Sequence, residues 1–235
     1  MTTATAANTT RAQEDRRADA AHPRRWWILA VMSLTTFMVF LDNTIVNTAL
    51  PSISRDLNAS TSTLQWVIDA YTLVLAGLLL VGGTMGDRFG RRRFLIIGMV
   101  IFGIASAGVA LSTTSGALLV FRAVQGTGAA LVLPATLSTV TDVFPRGERA
   151  KAIGIWTGAG GLAVGMGPVL GGLVVDQANW AAVFWLHIPV VALALAGMRI
   201  VPESRDQRSS RLDVRGALLA TSGLLALVFA IIQGN

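Results

Sequence analysis

The sequence contains no cysteine, which excludes disulfides, thiolate metal sites and a cysteine nucleophile. It has two histidines, His22 and His187, too few to build a metal centre alone. Lys151 is its one lysine and no G-x-x-x-x-G-K-[ST] loop exists, which argues against direct ATP coupling within the chain. Charge is scarce too: 14% of residues are charged, where a soluble domain carries about 25%. No nucleophile–base pair or metal-ligand set is legible, so an enzyme is the least supported class. Segments of about ten residues that alternate polar with apolar, the mark of a membrane barrel, are also missing.

Long apolar runs are abundant. Of the 235 residues, 53% are apolar, gathered into runs with the charge between them. A hydrocarbon core about 30 Å thick takes roughly 20 apolar residues in a helix. Runs near 26–48, 63–84, 94–112, 117–140, 151–174 and 181–199 meet that length, and a seventh covers about 214–233. In lipid the backbone must satisfy its own hydrogen bonds, so each run is predicted as a helix. The predicted fold is an all-α integral membrane bundle. Residues 1–25 form a disordered tail, 26–199 a six-helix bundle, 200–213 a linker and 214–235 a seventh helix. The tail has no apolar stretch of its own and is not a cleaved secretory signal. With the N-terminus in the cytoplasm, 17 of the 19 Lys and Arg fall on the inner side, as the positive-inside rule requires. The net charge of +6 is therefore a topology signal and not a nucleic-acid surface.

Three charges lie well inside the runs, away from their ends: Asp42, Asp69 and Arg122. A charge at mid-membrane costs about 2.5–3.5 kcal/mol on insertion scales and marks a functional candidate; snorkelling to the interface is the plainer alternative. Asp42 lies 16 residues beyond Trp26, about 24 Å along a helix. Asp69 and Arg122 stand at a similar level, counted from the opposite side. A shared level permits a polar cluster in which a carboxylate gains and loses a proton. Gln65, Asp69 and Thr72 share a helical face by spacing, and Gln125 lies beside Arg122. The fifth run is rich in glycine, with Pro168 near its outer end. Static close packing and a bend during transport are both open there. Gly158, Gly160 and Ala163 match a G-x-G-x-x-A fingerprint, which counts only in a soluble βαβ unit.

Four motifs stand in order along the chain. Residues 41–51 read LDNTIVNTALP, 83–93 GTMGDRFGRRR, 122–128 RAVQGTG and 165–172 GMGPVLGG. In the second, Gly86 and Gly90 suit a tight turn between helices, Asp87 can meet a helix N-terminus, and the arginines can pair with Asp142 or Glu148. Together the four resemble the signatures of the major facilitator superfamily, and specifically its drug–proton antiporters with fourteen helices. The resemblance implies efflux of a drug, antibiotic or similar small molecule across a bacterial cell membrane. The energy source would be a proton gradient, with no cofactor and no metal. Asp42 and Arg122, with Asp69 added for its burial, would couple protons. Gly83, Asp87, Arg88, Gly90, Arg91 and Arg92 would form the cytoplasmic gating loop. Gly165, Gly167, Pro168, Gly171 and Gly172 would form the fifth-helix antiporter motif. Asn43, Asn47, Gln65 and Gln125 would line a substrate pathway. His187, two residues before Pro189, stands where relatives often carry Asn; packing is the favoured reading and titration near neutral pH the other.

Such transporters have twelve or fourteen helices in two halves, so this chain corresponds to an N-terminal half plus one helix. Its partners would be a small-molecule substrate, protons, the lipid bilayer and a second half or a second copy of itself, with no nucleic acid. The alternative is a non-transporting membrane subunit that pairs with or regulates another transporter half.

Overall fold

The computed structural model describes residues 22–205 and, beyond them, Gly216, Leu219, Ser222, Gly223, Ala226, Leu227 and Ala230. Most of the tail expected over 1–25 and of the linker expected over 200–213 lies outside the described residues. The seventh helix expected over 214–235 is described only at those seven positions, each of them helical.

Among the described residues the regular elements are α1 (Arg25–Leu57), α2 (Thr61–Phe89), α3 (Arg91–Ala110), α4 (Ser115–Val143), α5 (Arg146–Gln177), α6 (Trp180–Trp185) and α7 (His187–Gly197), followed by a 3-10 turn, Met198–Ile200. Six segments among the described residues are long and apolar enough to cross a membrane, with Trp180–Ile200 as the sixth. α1, α2, α4 and α5 exceed their predicted runs at both ends, because hydropathy marks the part that lies in lipid and not the end of the helix. α1 continues past residue 48 through Pro51 and stops at Asn58, whose φ of 49° is left-handed. Ser60, Thr114 and Asn179 begin the next spans as N-caps, each side chain accepting from a backbone N–H three residues on. The sixth span breaks at Leu186. Pro189 has no N–H to offer the carbonyl of Trp185, and its ring crowds that carbonyl.

The segment 83–93 was expected to be a loop. It is helical on both sides of Gly90, which alone separates α2 from α3 with φ of 122°, a conformation that favours glycine. Gly86 lies inside α2 and makes no turn.

α4 packs along both α2 and α3, and α1 packs along α5. The buried apolar side chains fall into two clusters. One holds Ile28, Met32, Val39, Tyr71, Met99, Phe102, Ala129 and Val191; the other holds Ile45, Val67, Val109, Leu118, Val183 and Phe184. α4 reaches its neighbours where side chains are missing. A Cβ on Gly128 would stand 2.6 Å from the Gly98 carbonyl oxygen, and one on Gly126 2.5 Å from that of Tyr71. Gly154 on α5 has nothing within 4 Å of the same position.

This contrast predicts that Gly128→Ala lowers stability by about 1–3 kcal/mol, the cost of overpacking. Gly154→Ala should be neutral or stabilise by up to about 1 kcal/mol through helix propensity. Thermal unfolding of the two purified variants in detergent measures both.

Candidate functional site

The gap between the two apolar clusters is filled by polar side chains. On α1 Asp42 lies between Val39 and Ile45, and on α3 Ser106 lies between Phe102 and Val109. On α4 Arg122 and Gln125 lie between Leu118 and Ala129, and His187 lies between Phe184 and Val191. These five are buried, Arg122 at 1% exposure and Asp42 at 0%.

Arg122 Nη1 donates to Asp42 Oδ2 at 2.7 Å and to Gln125 Oε1 at 2.7 Å. Gln125 Nε2 donates to Asp42 Oδ1 at 2.9 Å and to Ser106 Oγ at 2.8 Å. Arg122 Nε donates to the Val67 carbonyl at 3.0 Å, and the guanidinium sits 4.4 Å from the centre of the Tyr71 ring. Tyr71 is itself held by its hydroxyl, which donates to the Val39 carbonyl at 3.2 Å. Both carboxylate oxygens are thus bonded and the guanidinium is shared among three acceptors, as a buried ion pair needs.

Of the residues expected in this region the structure brings together Asp42, Arg122 and Gln125. Asp69 stands apart. Val67 and Tyr71 face Arg122, and a residue two places beyond Val67 lies about 200° around the helix, so Asp69 is on the other side, partly buried. Its level matched the cluster but its direction does not. Gln65 is exposed. Asn43 donates to Thr72 Oγ1 at 3.5 Å, and Asn47 is exposed and donates to carbonyls of its own helix. Ser106 and His187 join the cluster without having been singled out for it. A polar residue in an otherwise apolar run, at the level of Asp42, was the available signal.

A second polar group lies at the end of the bundle where α1 begins. Asp87 does not cap a helix. Its Oδ1 accepts from Arg91 Nε at 2.7 Å, and Arg91 also donates to Asp142. Glu148 pairs with Arg25 at 2.8 Å. The α3 N-terminus is met instead by Glu203, whose Oε1 accepts from the Arg92 amide at 3.1 Å, while the Ser204 carbonyl accepts from the Arg91 amide at 3.0 Å. A Cβ on Gly90 would lie 2.6 Å from that carboxylate. Gly83 packs against Pro134, and Arg88 is exposed with its guanidinium 5.4 Å from the Phe89 ring centre.

In the fifth-helix motif, Gly167 and Gly171 lie against Thr44 and Thr48 of α1, whereas Gly165 and Gly172 face open space. α5 runs through Pro168 without ending. A cavity of about 220 Å³ lies between α1 and α5, lined by Thr36, Phe40, Trp156, Thr157, Gly160, Gly161 and Val164. Among the described residues no three His, Cys, Asp or Glu side chains are grouped to hold a metal ion.

A buried charge stripped of its partner costs about 3–5 kcal/mol. Asp42→Asn and Arg122→Gln should each destabilise by that much, while the double substitution should cost clearly less than their sum. Equilibrium unfolding of the four proteins in detergent checks the cycle, and additive losses would contradict the geometry.

The family model described as Major Facilitator Superfamily matches residues 32–233. The chain is 42% identical over 215 residues to the puromycin resistance protein pur8 of Streptomyces alboniger, covering 91% of this chain and 43% of that protein. It is 38% identical over 218 residues to the tetracenomycin C resistance and export protein of Streptomyces glaucescens, covering 92% and 40%. The chain thus spans about two fifths of the length of these curated relatives. Among solved structures, a crystal structure of the peptide transporter POT in complex with sulfate superposes with a TM-score of 0.68 at 18% identity, covering 93% of this chain and 49% of that one. A bacterial homologue of the lysosomal transporter Spinster, inward-facing and unoccupied, gives 0.65 at 20% identity, covering 83% and 47%. At that identity the superpositions speak for the fold.

Proposed function

The chain belongs to the Major Facilitator Superfamily and is a multi-pass membrane protein, and on that footing we propose that it is the N-terminal half of a proton-coupled exporter of drugs or antibiotics. Its N-terminus is cytoplasmic and its membrane is the bacterial cell membrane. The observation that carries the proposal is the Asp42–Arg122 pair, buried at 0% and 1% exposure between α1 and α4. An ion pair at this depth costs desolvation energy that an apolar pair would not, so stability alone does not account for it.

Protonation of Asp42 removes one charge of the pair. Arg122 is then left to Gln125 and the Val67 carbonyl, and the tie between α1 and α4 loosens. A proton taken up from one side and released to the other therefore changes the packing of these two helices, and two conformations of different proton affinity are what exchange with a substrate requires. The puromycin and tetracenomycin names of the relatives support an organic, partly aromatic substrate. The apolar cavity beside Phe40 and Trp156 offers such a molecule a surface. Asp87, Arg91 and Asp142 form a three-member ion group at the end of the bundle where α1 begins and would gate the cytoplasmic side.

Proton-driven uptake of puromycin into inverted membrane vesicles tests the reading. The chain should be expressed both alone and with the downstream continuation of its reading frame. Export is expected from the continued chain and should fall by about tenfold or more in Asp42→Asn and Arg122→Gln, the loss of a group required on the path. Full export by both variants would refute the coupling role. Pairing with another transporter half, without proton-dependent export of any compound, would favour the regulatory subunit instead.

A further inference from the structure

The ring of His187 is buried at 1% exposure, and the ion pair as described makes no use of it. It packs edge-on against Phe102 and Phe184, with centroids 5.4 and 6.2 Å away. Its two nitrogens have different surroundings. Nδ1 lies 3.4 Å from Ser106 Oγ. That oxygen already accepts from Gln125 Nε2 at 2.8 Å, so the Ser106 hydroxyl hydrogen is free to be donated to Nδ1. A neutral ring that accepts at Nδ1 carries its proton on Nε2. Nε2 has no hydrogen-bond partner among the described residues and stands 3.7 Å from Asp42 Oδ1. Oδ1 accepts one bond, from Gln125, and a carboxylate oxygen can take a second. A closing movement of about 1 Å would make a charge-assisted hydrogen bond.

His187 is the first residue of α7, directly after Leu186, whose amide still donates to the Ala182 carbonyl at 3.1 Å. The charged groups that act on it are Asp42 from α1 and Arg122 from α4. α3 contributes Ser106 and Phe102 and α6 contributes Phe184, all uncharged, while Tyr71 of α2 stacks on Arg122.

We propose that His187 is a second proton-exchanging group of the site, relaying a proton through its ring to Asp42. The inference rests on the proton-coupled reading above and deepens it. A proton gained at Nδ1 makes the imidazolium, and the Ser106 hydroxyl turns to accept from it. The Nε2 proton then passes to Asp42 Oδ1, whose lone pair forms the new O–H bond while the N–H electron pair stays on the ring. The products are a neutral histidine protonated at Nδ1 and a neutral carboxylic acid. The cluster carries one net positive charge before and after the transfer, and no electron is exchanged. Asp42 loses its charge toward Arg122 by this step.

Nitrogen NMR of the histidine-labelled protein tests the relay. The chain has two histidines, so His22→Gln leaves the signals of one ring. At high pH the Nε2-protonated tautomer is expected. As the pH is lowered from about 8, the signals should move to the imidazolium form. The midpoint should differ by about half a pH unit or more once Asp42→Asn removes the neighbouring charge. The Nδ1-protonated tautomer at high pH, signals that stay constant, or a midpoint indifferent to Asp42→Asn would each overturn the proposal. Should Asp42→Asn prevent folding, Ser106→Ala supplies the test. It removes the donor to Nδ1 and should give a mixture of both tautomers, and an unchanged tautomer would overturn the relay. Export that needs Asp42 and Arg122 while the ring signals stay still would sink the relay alone. Ring signals that move in a protein that exports nothing would sink only the transport reading.

Discussion

The contact between Asp42 and Arg122 sets the terms for the rest of the bundle. Taking two unit charges out of water is costly, and attraction between them repays that only when each is also hydrogen-bonded. The surroundings meet the requirement from four elements: Gln125 beside Arg122 on α4, the Val67 carbonyl and Tyr71 ring on α2, Ser106 on α3, and Asp42 on α1. Each helix must therefore be held at one depth and one rotation. The apolar clusters above and below the polar layer supply the holding, since neither tolerates charge and together they leave one level where charge can sit.

Close approach of the backbones makes this possible. Arg122 and Gln125 are followed by Gly126 and Gly128, which let α4 lie directly on the Tyr71 carbonyl of α2 and the Gly98 carbonyl of α3. The polar side chains of the buried cluster and the glycines that admit the neighbouring helices share one stretch of α4, residues 122–128. In lipid, where apolar side chains gain little by leaving the solvent, such contacts between small residues carry much of the association of helices.

The sequence shows spans well because the bilayer imposes a length on them, and six are found where apolar runs predicted them. Helix ends are less legible: α1 carries Ser52, Ser54, Arg55 and Asp56 beyond its apolar portion and stays helical. The glycine- and arginine-rich stretch 83–93 has the composition of a loop, yet only Gly90 leaves the helical conformation. Depth within the membrane could be counted in residues, which is why Asp42, Arg122 and Gln125 were visible. Azimuth could not, since it depends on which face a neighbour covers. Asp69 shared the level and turned away, whereas His187 and Ser106 turned inward. Glu203 was beyond the reach of any local pattern, because the amide it meets is 111 residues away.

That separation has a bearing on how the protein is made. A chain leaves the ribosome from its N-terminus, and the first amides of a helix have no partner within it. The start of α3 is finished by Glu203 and Ser204, residues synthesised only after all six described spans. During translation the junction between α2 and α3 therefore stays an open end until the segment that leaves the sixth span has been made. The closing contact is among the last of the described contacts whose residues become available.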